Sequence, residues 1–132
     1  MKLELKENMY VRTKDGTIGK IIAIDLAKPR QEKYPNHPSK RWWRDKILIS
    51  CYKGWITTQN IIKASYNIID ILEEGDYVNG YKIGYIDDCK GAIREFYYDD
   101  ENPNEDVGHW EEEIESVITH EQMEKMTYKV VE

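Results

Sequence analysis

MYVRTKDGTIGKIIAID, residues 9–25, decides the fold. Residues 8–13, NMYVRT, read as a strand, KDG (14–16) as a turn, and TIGKIIAID (17–25) as a second strand rich in Ile. An Asp-Gly pair between two strand-like runs is a strong hairpin cue, because glycine admits the positive φ that tight reversals need. A long polar loop, LAKPRQEKYPNHPSKR (26–41), follows with three of the four prolines. WRDKILISCY (43–52) reads as a third strand, KG (53–54) as a turn, and WITTQNII (55–62) as a fourth strand or a strand with a short 3₁₀ turn. Four short strands around one long loop predict a small SH3-like barrel.

The second half continues in the same style. IIDIL (68–72), DYVNG (76–80), YKIGYID (81–87) and AIREFYYD (92–99) read as strands or strand-plus-turn. WEEEIESVI (110–118) fits strand or helix, and TYKVV (127–131) fits an edge strand. Thr119 and Gln122 have the spacing of a capping box, so a short helix is expected over about 119–126. MYV…DGTIGKI (9–21) and DYVNGYKIGYI (76–86) echo each other; a true repeat and two independently similar hairpins both explain it. The expected fold is mainly β with a short C-terminal helix, a β-rich α+β chain. An SH3-like subdomain at 1–66 and a second β-hairpin/sheet unit at 67–132 would pack as one compact body. Each half alone is near the lower size limit for independent folding.

Charge divides the chain in the same place. Residues 1–66 carry 14 Lys and Arg against 6 Asp and Glu, 14 − 6 = +8, while residues 67–132 carry 5 against 19, 5 − 19 = −14. Such asymmetry concerns partners and association rather than fold. Ten Tyr and four Trp against one Phe favour strand faces with polar tips. The N-terminus lacks an apolar h-region, no run reaches a membrane span, and the two cysteines form no framework. A reduced cytoplasmic protein is expected.

KASYNIIDILEEGDYVNGYKI (63–83) and ESVITHEQMEKMTYKV (115–130), with the start MYVRTKDGTIGKI, resemble a group of small proteins from phages and prophages of Gram-positive bacteria. The basic loop at 28–46 and the acidic loop at 99–113 lie outside that pattern. The group carries no catalytic motif to transfer. The resemblance implies phage origin, and small phage proteins of this kind are often host-takeover or anti-defence factors, anti-CRISPR inhibitors among them.

Chemistry-bearing residues are scattered. Gly16 and Gly19 form GxxG without the strand–loop–helix that a phosphate cradle needs. His37, Cys51, Cys89, His109 and His120 are the soft metal ligands, and none lies within four residues of another. No metal or other cofactor is therefore expected, although a site assembled from distant residues, such as Cys89 with His109, is an alternative. Cys51 continues the Ile47, Ile49 alternation and is expected in the core. Nothing orients Cys89 with His120 for nucleophilic work, so no enzyme is expected.

Two surfaces remain. Residues 95–115 hold ten acids in twenty-one positions with no Lys or Arg. They read either as a solvated loop or as a mimic of the phosphate track that basic grooves bind, with Glu111, Glu112 and Glu113 as contacts. Residues 28–46 hold seven cations and two acids around KRWWRDK (40–46). Alternation places Trp43 with the core residues Ile47 and Ile49, and Trp42 with Arg41, Arg44 and Lys46 on the other face. That second group suits stacking and phosphate contacts, a protein hot spot, or docking on the chain's own acidic loop. The favoured function is a non-enzymatic inhibitor that occupies a host protein or ribonucleoprotein complex. The alternatives are a nucleic-acid-binding module using 28–46 and a metalloprotein using Cys89 and the histidines.

Overall fold

A computed structural model describes residues 4–38, 44–87 and 94–126. Among these residues nine strands form two antiparallel sheets, and the chain divides into two units. One comprises Met1–Lys14 with Ile18–Tyr66, the other Asp15–Thr17 with Asn67–Glu132. No helix among the described residues is long and apolar enough to cross a membrane.

In the first unit β1 (Tyr10–Thr13) and β2 (Ile18–Asp25) form the expected hairpin. Helix α1 (Ala27–Lys33) follows, then β3 (Lys46–Ile49), β4 (Ile56–Thr57), a 3₁₀ turn Thr58–Asn60 and β5 (Ile61–Ser65). The sheet order is β4-β3-β2-β1-β5. This is an SH3-like meander, with β5 returning beside β1. The expected barrel is not closed: two-residue β4 passes through the 3₁₀ turn directly into β5, and these strands stand at opposite edges. Val11, Ile21, Ile47, Ile49 and Ile61 form the core, each 7% exposed or less.

Helix α1 corrects the reading of 26–41 as plain loop. Pro29 sits in its first turn, where the backbone N–H it lacks would have had no helical partner. Asp45 Oδ1 accepts the Ala27 N–H at 2.8 Å, and Arg30 and Lys33 lie in the last turn, where cations suit the helix dipole. Strand β3 ends at Ile49, so Cys51 falls in the turn beyond it. It is exposed, not core, and its Sγ lies 2.9 Å from the Ile18 carbonyl oxygen.

The second unit holds β6 (Tyr77–Val78), β7 (Tyr81–Asp87), β8 (Glu95–Tyr98), β9 (Val117–Ile118) and α2 (His120–Met126). Its sheet order is β8-β7-β6-β9. IIDIL is not a strand: Ile68–Ile71 is a 3₁₀ helix that buries Ile69 and Ile71, and an apolar run so short carries no period to tell the two apart. TYKVV lies outside the described residues. Thr119 and Gln122 do form the capping box, with N–H to side-chain-oxygen distances of 3.2 and 3.3 Å.

The two units repeat one plan, residue by residue. Val11 pairs with Ala64 across to β5, and Val78 with Val117 across to β9. The long second strand carries a bulge in each, after Ile21 and after Ile83. The third strand buries Ile47 in one and Phe96 in the other, both 0% exposed. Ile47 faces Ile56, and Phe96 faces His109 through an isolated bridge. Two residues further on, the 3₁₀ turn Glu111–Glu113 stands where Thr58–Asn60 does.

The approach to the first strand is also shared. Asn8 and Gly75 have φ of 71° and 95°, and each donates its N–H to the carbonyl of Ile21 or Ile83 at 2.9 Å. The Tyr-Val echo in the sequence is therefore structural, LKENMYV (5–11) matching LEEGDYV (72–78). The Ile-Gly echo is not: by register Gly19 corresponds to Tyr81, and Ile21 to Ile83.

Gly16, in the second unit, has φ of +87°, and a Cβ there would lie 2.7 Å from Glu121 Oε2 and against the buried Thr119 hydroxyl. Gly16→Ala should cost about 2 kcal/mol through backbone strain and overpacking, read as a lower urea midpoint.

Candidate functional site

The acidic run 95–115 separates into two sets of side chains. Four carboxylates are used to build the fold. Glu95 accepts hydrogen bonds from the Tyr97 hydroxyl and the Trp110 indole N–H, each at 3.1 Å. Glu101 accepts the Tyr98 N–H at 2.8 Å and faces His109 Nε2 at 2.8 Å. Asp106 accepts the Asn102 N–H at 2.6 Å, closing the loop. Glu113 accepts the Trp110 N–H at 2.8 Å and lies 3.3 Å from His109 Nδ1.

His109 thus has a carboxylate at each ring nitrogen, and its ring lies 4.6 Å from that of Tyr98 and 5.4 Å from that of Phe96, centroid to centroid. Burial, then the charges of Glu113 and Glu101, raise the Tyr98 phenol above its ordinary pKa.

Asp99, Asp100, Glu105, Glu111, Glu112 and Glu115 form the other set. None of these six carboxylates has a hydrogen-bond or ion-pair partner among the described residues, and all the side chains but that of Glu111 belong to exposed residues. Of the three glutamates singled out in the sequence, Glu111 and Glu112 belong to this outward set, whereas Glu113 holds the 3₁₀ turn.

On the basic side, Lys40, Arg41, Trp42 and Trp43 lie outside the described residues. Within β3 itself, Ile47 and Ile49 are buried and Leu48 is half-buried. Arg30 points inward, its side chain 14% exposed, with Nε 3.4 Å from Asp25 Oδ1 and its guanidinium donating to the Arg44 carbonyl. Lys28, Lys33 and Arg44 are exposed, and Lys46 is half-buried within β3. The Lys33 ammonium sits 5.4 Å from the centre of the Tyr34 ring.

Among the soft ligands, Cys89 lies outside the described residues. His109 is surrounded as above. His120 meets two carboxylates, Glu73 Oε1 at 2.9 Å and Glu121 Oε1 at 3.1 Å. Spacing arguments confined to Cys and His missed this group. The signal available was Glu121 beside His120; Glu73 is brought in only by the fold.

No family model, curated protein or solved structure matches the chain.

Proposed function

We propose that the chain is a non-enzymatic binding protein whose acidic second unit occupies a basic surface of a host protein or ribonucleoprotein complex. In its specific form it is an anti-defence inhibitor of the anti-CRISPR kind, the phage origin resting on the resemblance of 63–83 and 115–130. One observation supports the reading: six carboxylates of the 95–115 run have no partner among the described residues, five of them on exposed residues, while four neighbouring carboxylates hold the backbone in place. Carboxylates left in water on a fixed scaffold resemble the spaced charge that a nucleic-acid groove is built to neutralise.

The test is binding of the purified protein to guide-loaded defence nucleases across a salt series. The fourfold variant Asp99→Asn, Asp100→Asn, Glu112→Gln, Glu115→Gln should bind at least about tenfold more weakly, with an unchanged urea midpoint, because exposed substitutions cost little stability. Undiminished binding by that variant would remove the acidic face from the proposal.

A second reading follows from Lys28, Lys33 and Arg44, three exposed cations of the first unit, one beside a tyrosine ring. They belong to the basic segment 28–46, whose sequence suits a nucleic-acid-binding module. Titration with single- and double-stranded DNA and RNA over the same salt series separates this from the first, since phosphate binding weakens steeply with salt.

A further inference from the structure

We infer that Glu73, His120 and Glu121 form a binding site for a divalent transition-metal ion of the zinc class. One oxygen from each carboxylate and one imidazole nitrogen lie within 4.8 Å of one another. From His120 Nε2 the two oxygens are 2.9 and 3.1 Å away. Donors around a tetrahedral zinc at about 2.0–2.1 Å stand roughly 3.3 Å apart, and both distances from the imidazole nitrogen are close to that spacing.

One ring nitrogen has at most one proton to give, yet two carboxylates converge on it. A divalent cation instead meets all three groups and balances both negative charges. One imidazole with two carboxylates suits a borderline ion rather than a purely oxygen-loving or thiolate-loving one.

The ligands are also held from behind. Asp76 is 0% exposed, and its Oδ2 accepts the Glu73 N–H at 2.7 Å while its Oδ1 accepts the His120 N–H at 2.9 Å. One buried carboxylate therefore fixes the spacing of two ligand-bearing backbone positions far apart in sequence. The Thr119–Gln122 capping box sets the first turn of α2, which carries His120 and Glu121. The buried Thr119 hydroxyl donates to the Gly16 carbonyl at 2.7 Å. Such backing is what orients metal ligands. The three side chains are 21–39% exposed, so an ion can reach them, and at least one coordination position is left for water or a partner group.

This inference is independent of the 95–115 face. Its test is calorimetric titration of chelator-stripped protein with Zn²⁺, with thermal melts alongside to confirm folding. One ion should bind per chain and raise the melting temperature. Glu73→Gln, Glu121→Gln and His120→Gln should each weaken binding at least about tenfold, and His37→Ala should not. The glutamine variants keep the size of the carboxylates, so if one of the three fails to fold the other two decide. No saturable binding, or binding that stays within about threefold in the folded cluster variants, would overturn the site.

Discussion

Replacing Phe96 by alanine is expected to lower the stability of the second unit by about 4 kcal/mol, the range for deleting a fully buried aromatic ring and leaving its cavity. Phe96 is 0% exposed, and its ring is in edge contact with Tyr98 and tilted against His109. Its backbone exchanges both hydrogen bonds with His109, at 3.0 and 2.8 Å. The loss should therefore loosen the His109 environment, and with it the loop that displays the acidic set. Urea unfolding followed by tryptophan fluorescence reads the first effect, and hydrogen exchange at the His109 amide the second. The corresponding Ile47→Ala in the first unit should cost about 3 kcal/mol and leave His109 exchange unchanged. Equal protection of that amide in both variants would show that Phe96 does not support the acidic segment.

The second large effect is at Asp76. Its two oxygens accept two different backbone N–H groups, and removing them leaves both donors without their acceptor. Each such orphan costs about 1–3 kcal/mol, so Asp76→Ala should destabilise by about 3 kcal/mol. Asp76→Asn is more telling. An amide accepts on one side only and would point its NH₂ at the other N–H, so most of the loss should persist despite unchanged size. An asparagine variant as stable as wild type would refute the two-sided clamp. Zn²⁺ affinity should fall in the same variant.

Local chemistry was legible where one residue type has one physical meaning. The Asp-Gly turn marked the β1–β2 hairpin, the Ile47–Ile49 alternation fixed the buried face of β3, and the Thr119/Gln122 pair marked the start of α2. Ambiguity entered where two structures use the same pattern. The run at 68–72 buries Ile69, Ile71 and Leu72, as a strand would, but turns as a 3₁₀ helix. Cys51 kept the alternation on paper because nothing in the sequence shows that β3 stops at Ile49.

The candidate sites divide the same way. Ten acids were countable in 95–115, yet only hydrogen bonds distinguish Glu113, which holds a turn, from Glu112, which faces water. Glu73 and His120 meet through the pairing of β6 with β9 and through Asp76, and sequence spacing carries no trace of that.

A chain that writes one strand plan twice faces a hazard in folding: β5 could zip onto β6, or β9 onto β1, and tandem copies are known for such misassembly. Divergence is the safeguard. Between the gap-free stretches ITTQNIIKAS (56–65) and HWEEEIESVI (109–118), Ile61 and Ile114 alone coincide. Where the first copy offers Ile62 and Lys63, the second offers Glu115 and Ser116, so an exchanged strand would bring the wrong side chains to its new neighbours. Substitutions that make these stretches more alike would erode that discrimination, and refolding yield, rather than the melting temperature, is where the damage would first be felt.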